Sequence, residues 1–213
     1  MGVKKKVKEA EERIICLSEK EFVIIAESCK IRKLVCFLSE SETEMLSPVK
    51  DSEYPVIIHE MMKRGLLVVD EEGMRLQPEV ARVFSLIVSA TCTVRFLRNP
   101  GSGRATSCVY VAYDKSFVSA LPGRRLGEYI RLGFHSKDGL RDYINDTELE
   151  NAESVFGGLK KIIVDKVGIH TPVAYFNAVT DKHGKVKFES REGVAYPADA
   201  VAEELSRIVG GEK

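Results

Sequence analysis

The chain has 213 residues, 44% hydrophobic and 30% charged, with 32 basic residues against 32 acidic ones. A chain of that length hides about 70% of its unfolded surface without needing a disulfide or a metal. Its composition excludes the disordered, collagen-like and membrane classes, and zero net charge leaves no global field to draw it onto nucleic acid or an anionic bilayer. Charge is uneven along the chain, however: residues 39–90 hold ten acidic and five basic groups, residues 91–145 four acidic and nine basic. This predicts a dipolar surface, or two segments that pack together, and neither resembles the one-sided basic face of a DNA binder.

Arg13 to Leu17 is a short apolar run that reads as a strand. Ser18 and Glu21 have capping-box spacing, so a helix should start there. Phe22, Ile25, Ala26 and Cys29 give it one buried stripe to about residue 30. Residues 38–49 read as a loop. Ser52, with Pro55 in the first turn, opens a second helix with Ile57, Ile58, Met61 and Met62 inward, and Gly65 ends it. Leu66 to Asp70, a Glu71-Glu72-Gly73 turn and Met74 to Leu76 form a hairpin. Gln77-Pro78 starts a third helix with Val80, Val83, Phe84 and Ile87 on one face.

From Thr91 the apolar period falls from 3.6 to 2. Thr91 to Arg98, Arg104 to Tyr113, Ser116 to Leu121 and Glu128 to Phe134 are joined by short links, which predicts an antiparallel meander. A short helix follows over 138–144, then a helical stretch near Ala152 to Val167 broken by Gly157-Gly158. Val173 to Val179 and Lys185 to Phe188 make another hairpin around Asp181 to Gly184. A last helix, with Pro197 near its first turn, runs to about Val209 with Val201, Leu205 and Ile208 inward. The fold class is therefore α+β, a central antiparallel sheet with flanking helices. A mainly helical part over 1–90 and a sheet part over 91–213 should pack as one domain.

Signs of chemistry are sparse. Cys16, Cys29, Cys36, Cys92 and Cys108 are odd in number and lack a C-x-x-C pair, which predicts buried thiols in a reducing compartment. His59, His135, His170 and His183 are too scattered for a metal pair. No serine sits in a nucleophile elbow, and Gly101-Ser102-Gly103 is a turn, with no phosphate loop around it. These features predict no enzymatic activity, no cofactor and no metal. No apolar run reaches the ~18 residues of a membrane span, and Glu9, Glu11 and Glu12 follow the basic Lys4-Lys5-Lys6 where a signal peptide would be apolar. The location expected is cytoplasmic.

Helix, Gly65, hairpin and helix in that order imitate the end of a winged-helix DNA-binding domain. The would-be wing tip, Asp70-Glu71-Glu72, would repel phosphates where such proteins place Lys and Arg. Nucleic acid is accordingly not expected as a partner, and winged-helix regulation stands as the alternative function. The segment Arg64-Gly65-Leu66-Leu67-Val68-Val69-Asp70, then a short acidic glycine turn, then Leu76-Gln77-Pro78-Glu79-Val80-Ala81-Arg82-Val83-Phe84 and a strand hairpin whose return arm begins at Arg104, resembles the EspG family of type VII secretion chaperones. The resemblance implies a central antiparallel sheet with flanking helical bundles, and a cytosolic role in keeping secretion substrates soluble. A protein partner, a small helical secreted substrate, is then expected. The candidate contact for it is the hairpin tip from Asn99 to Arg104, with Arg98, Asn99, Gly101 and Arg104 as its binding residues.

Overall fold

The computed structural model describes residues 14–31, 49–98, 105–121, 129–136, 139–149, 158–166 and 171–210. In chain order these form β1 (Ile14–Leu17), α1 (Glu19–Ser28), α2 (Tyr54–Lys63), β2 (Leu67–Asp70), β3 (Gly73–Leu76), α3 (Pro78–Ser89), β4 (Ala90–Leu97), β5 (Ser107–Ala112), β6 (Phe117–Leu121) and β7 (Ile130–His135). They continue with α4 (Leu140–Tyr143), a π-helical turn (Ile144–Leu149), β8 (Lys161–Lys166), β9 (Ala174–Thr180), β10 (Val186–Ser190), β11 (Ala195–Pro197) and α5 (Ala198–Gly210). Nine strands make one antiparallel sheet in the order β1-β7-β6-β5-β4-β8-β9-β10-β11, while β2 and β3 pair apart from it. The protein is thus α+β with a central antiparallel sheet, as the change of apolar period implies.

The capping box forms as the spacing requires. The Ser18 amide donates to Glu21 Oε2 at 2.7 Å, and the Glu21 amide donates to Ser18 Oγ at 3.3 Å. That fixes the start of α1 and turns Phe22, Ile25 and Ala26 into the core. Gly65 adopts φ +68°, the left-handed conformation that lets the chain leave α2 and enter β2.

The sheet is covered on opposite faces in its two halves. Helices α1, α2 and α3 pack over β1, β7, β6 and β5, where Leu17, Leu132, Val118, Ala120, Cys108 and Tyr110 meet Phe22, Met61 and Phe84. Phe22 and Phe84 lie 5.6 Å apart, ring centre to ring centre. On the other face, α4, the π-helical turn and α5 cover β4, β8, β9 and β10. Val94, Phe96, Ile162, Val164, Phe176 and Phe188 there meet Ile144, Val201 and Leu205. Strand β5 serves both cores by alternation, Cys108 and Tyr110 to one side, Val109 and Val111 to the other. Burying each large apolar side chain contributes about 1.5–3 kcal/mol, so the paired cores supply most of the folding drive.

Several boundaries and two elements differ from the sequence expectation. Residues 161–166, expected to be helical, are β8, which pairs antiparallel with both β4 and β9. Its β-branched Ile162, Ile163 and Val164 suit a central strand, and a short apolar run has no period that separates strand from helix. Helix α2 begins at Tyr54 with Glu53, not Ser52, before it and no side-chain cap. Met61 is fully buried, but Met62, expected inward, is 38% exposed. Strand β11 is an unexpected three-residue edge, with Pro197 at its end where a missing N–H does no harm. Cys108 is disulfide-bonded, contrary to an all-thiol reading, while Cys16, Cys29 and Cys92 are free.

Candidate functional site

Strand register gathers the buried polar groups. On the α5 face Phe96 pairs with Ser107 across β4 and β5, Ser119 pairs with Gly133 across β6 and β7, and Phe117 pairs with His135. Gly133 leaves the space above its Cα empty, so Ser119 crosses it diagonally. Ser119 Oγ lies 2.8 Å from His135 Nε2. A Cβ on Gly133 would fall 2.9 Å from that hydroxyl and 3.1 Å from that nitrogen. The His135 ring stacks on Phe117 at 4.4 Å and 6°, and Tyr143 of α4 tilts against it at 4.9 Å.

Tyr143 also connects this pair to a second group. Glu148, in the π-helical turn, is only 2% exposed. Burial raises its pKa above the usual carboxylate value of 4.5, opposed by the Ser107 hydroxyl, the Arg98 charge and the Tyr143 hydroxyl. Arg98 Nη2 stands 4.0 Å from Glu148 Oε2. Ser107 Oγ and Glu148 Oε1 nonetheless complete no hydrogen bond of good geometry. A π-helical turn, often found at functional sites, holds the carboxylate at this depth. The result is a buried polar seam: Arg98, Glu148, Ser107 and Tyr143, then His135 and Ser119.

Glu148 carries a definite pH dependence. Because its folded-state pKa is raised, its contribution to stability is complete below the unfolded value and is lost as pH rises through the folded one. Glu148→Gln, which keeps the shape without the charge, is expected to melt above the wild type at pH 8 by about 2–4 °C, equivalent to about 1 kcal/mol in a chain of this size. The gap should close near pH 4, where the wild-type carboxyl is itself protonated. Parallel melts across that range check it, and a variant less stable at pH 8 would contradict it.

Serine and histidine at 2.8 Å are the spacing of a nucleophile and its base, a pair that sequence reasoning did not find. Their exposures, 5% and 9%, close the hydroxyl off from solvent. Cys92 is no better as a nucleophile, since burial pushes its thiol up to about 11. Among the described residues no three His, Cys, Asp or Glu side chains are grouped to hold a metal ion. No helix among them is long and apolar enough to cross a membrane.

Of the partner-contact residues expected at the β4–β5 tip, Asn99, Gly101 and Arg104 lie outside the described residues. Arg98 is described, and its charge is turned toward Glu148 with the side chain 22% exposed. It belongs to the polar seam more than to a free basic rim. A second surface is plainer. One face of the β2–β3 hairpin carries Leu67 opposite Leu76 and Val69 opposite Met74. Leu67 is buried, whereas Val69 and Met74 are 59% and 55% exposed. Asp70, Glu71 and Glu72 form the tip, where Arg75 ion-pairs with Asp70 at 2.5 Å and lies 3.6 Å from Glu72. No protein-family model matches the chain, and no curated protein matches it in sequence.

Proposed function

We propose that this chain is a cytosolic, non-enzymatic chaperone or accessory protein that binds small helical substrates of a type VII secretion system. The observation that supports this reading is the plan of the fold: a central antiparallel sheet with helices on both faces, which is what the Arg64–Phe84 resemblance implies. Burial of Ser119 and His135 favours a structural over a catalytic use of that pair. The acidic hairpin tip weighs against the winged-helix alternative, because phosphates would be repelled there.

Co-expression with a small helical secreted protein of the same cell tests the proposal. The chain is expected to hold that protein in the soluble fraction as a complex that survives size-exclusion chromatography. Equal solubility of the secreted protein with and without the chain would overturn it. Retention of duplex DNA that falls steeply with salt would favour the alternative instead.

A further inference from the structure

We infer that the β2–β3 hairpin is a docking arm for an amphipathic helix that carries basic residues beside its apolar stripe. This rests on the protein-binding reading above and specifies the chemistry of the partner. The arm is anchored at its base, where Leu67 and Leu76 join the core under α1–α3, and its apolar face continues outward, uncovered among the described residues, to Val69 and Met74. A single exposed apolar residue is ordinary. Here two large ones stand directly opposite each other across the strands, at the end of a stripe that is otherwise packed.

The arm is also pre-shaped. Gly73 takes φ +117°, and the Glu72 amide donates to Asp70 Oδ1 at 3.0 Å, so the tip loses little freedom on binding. Charge selects the occupant. Three carboxylates (Asp70, Glu71, Glu72) stand at the tip just beyond the pair, against the single guanidinium of Arg75, which ion-pairs with Asp70 on the other face of the hairpin, a net −2 over residues 67–76. Two such arms would repel one another, which disfavours a second copy of this chain, and phosphate-bearing surfaces would be repelled too. A helix with apolar residues at i, i+3 and i+4 and flanking lysines satisfies both the stripe and the charge.

The probe is a fluorescent synthetic helical peptide with a leucine stripe and lysine flanks, compared with a twin bearing glutamate flanks. Anisotropy titrations use the full chain. The lysine peptide is expected to bind, more weakly as salt rises, and the glutamate twin to bind at least about tenfold less well. Val69→Thr with Met74→Gln, and separately Glu71→Lys with Glu72→Lys, should each weaken binding about tenfold. All four positions are exposed, so both double variants should keep the wild-type melting profile. Absence of binding, equal binding of the two peptides, or unchanged affinity in either double variant overturns the inference. A secreted substrate that still co-purifies with both variants removes the arm and leaves the chaperone reading standing. Peptide binding as expected, with no secreted helical protein retained by the wild type, leaves the arm and removes the secretion reading.

Discussion

Arg64→Ala is expected to lower the unfolding free energy by about 2–4 kcal/mol, somewhat under the cost of breaking a fully buried ion pair. Arg64 Nη1 donates to both carboxylate oxygens of Glu21, at 2.7 Å to Oε1, and Nη2 donates to the Cys16 carbonyl. The guanidinium also lies over the Tyr129 ring at 4.9 Å. One side chain at the end of α2 thereby holds β1, the first turn of α1 and the residue that precedes β7. Without it, the Glu21 carboxyl group, its side chain 4% exposed, would lose its charged partner. Because Arg64 itself keeps 30% exposure, water can replace part of what is lost, hence the discount. Glu21→Gln should cost less, since glutamine also serves the capping box and the Arg64 cation it leaves without a carboxylate is 30% exposed and can be hydrated. Urea unfolding of both variants and of the double substitution checks this. Arg64→Ala within about 0.5 kcal/mol of wild type, the range of an ordinary surface change, would refute it.

Gly133→Ala is expected to cost about 1–2 kcal/mol, although alanine in place of glycine normally favours a strand by about 0.5–1 kcal/mol. The new methyl would stand 2.9 Å from Ser119 Oγ, closer than side-chain carbons come, and 3.1 Å from His135 Nε2, a tight contact. Serine can rotate away, but only by breaking its bond to the histidine inside a site largely closed off from solvent. The His135 ring cannot follow easily, held as it is between Phe117 and Tyr143. In a Ser119→Ala background the oxygen is gone, so the same Gly133 substitution should cost less. Thermal melts of the four-member cycle measure that coupling; equal costs in both backgrounds would show that the pair does not set the glycine requirement.

Signals confined to a few neighbouring residues were legible in the sequence. Ser18 and Glu21 announce α1 because the capping box needs only its own two residues, and the Glu71-Glu72-Gly73 turn announces the hairpin for the same reason. Lys161 to Lys166 was not legible as β8, because its partners Cys92 to Leu97 lie far back in the chain and burial on the α5 face is decided by that pairing. The polar seam was hidden similarly. Ser119 and His135 meet only once β6 and β7 take their register and Gly133 falls between them. Glu148 looks like an ordinary surface glutamate until the π-helical turn carries it under the sheet. Arg98 read as a basic flank of a loop, and its inward turn depends on a carboxylate that local sequence does not reveal.

The alternation of β5 ties the two cores into a single cooperative unit. Its amides are enclosed by both, so neither helical layer can peel away without exposing a side of the same strand, and hydrogen exchange along β5 should report global opening rather than local fraying. The order of assembly follows as well. Strands β4 to β7 can pair as consecutive neighbours, but β1 finds its place beside β7 only after more than half the chain has been threaded between them. Closing so long a loop is entropically late, so a chain growing from its first residue must leave Ile14–Leu17 unpaired until the meander is complete.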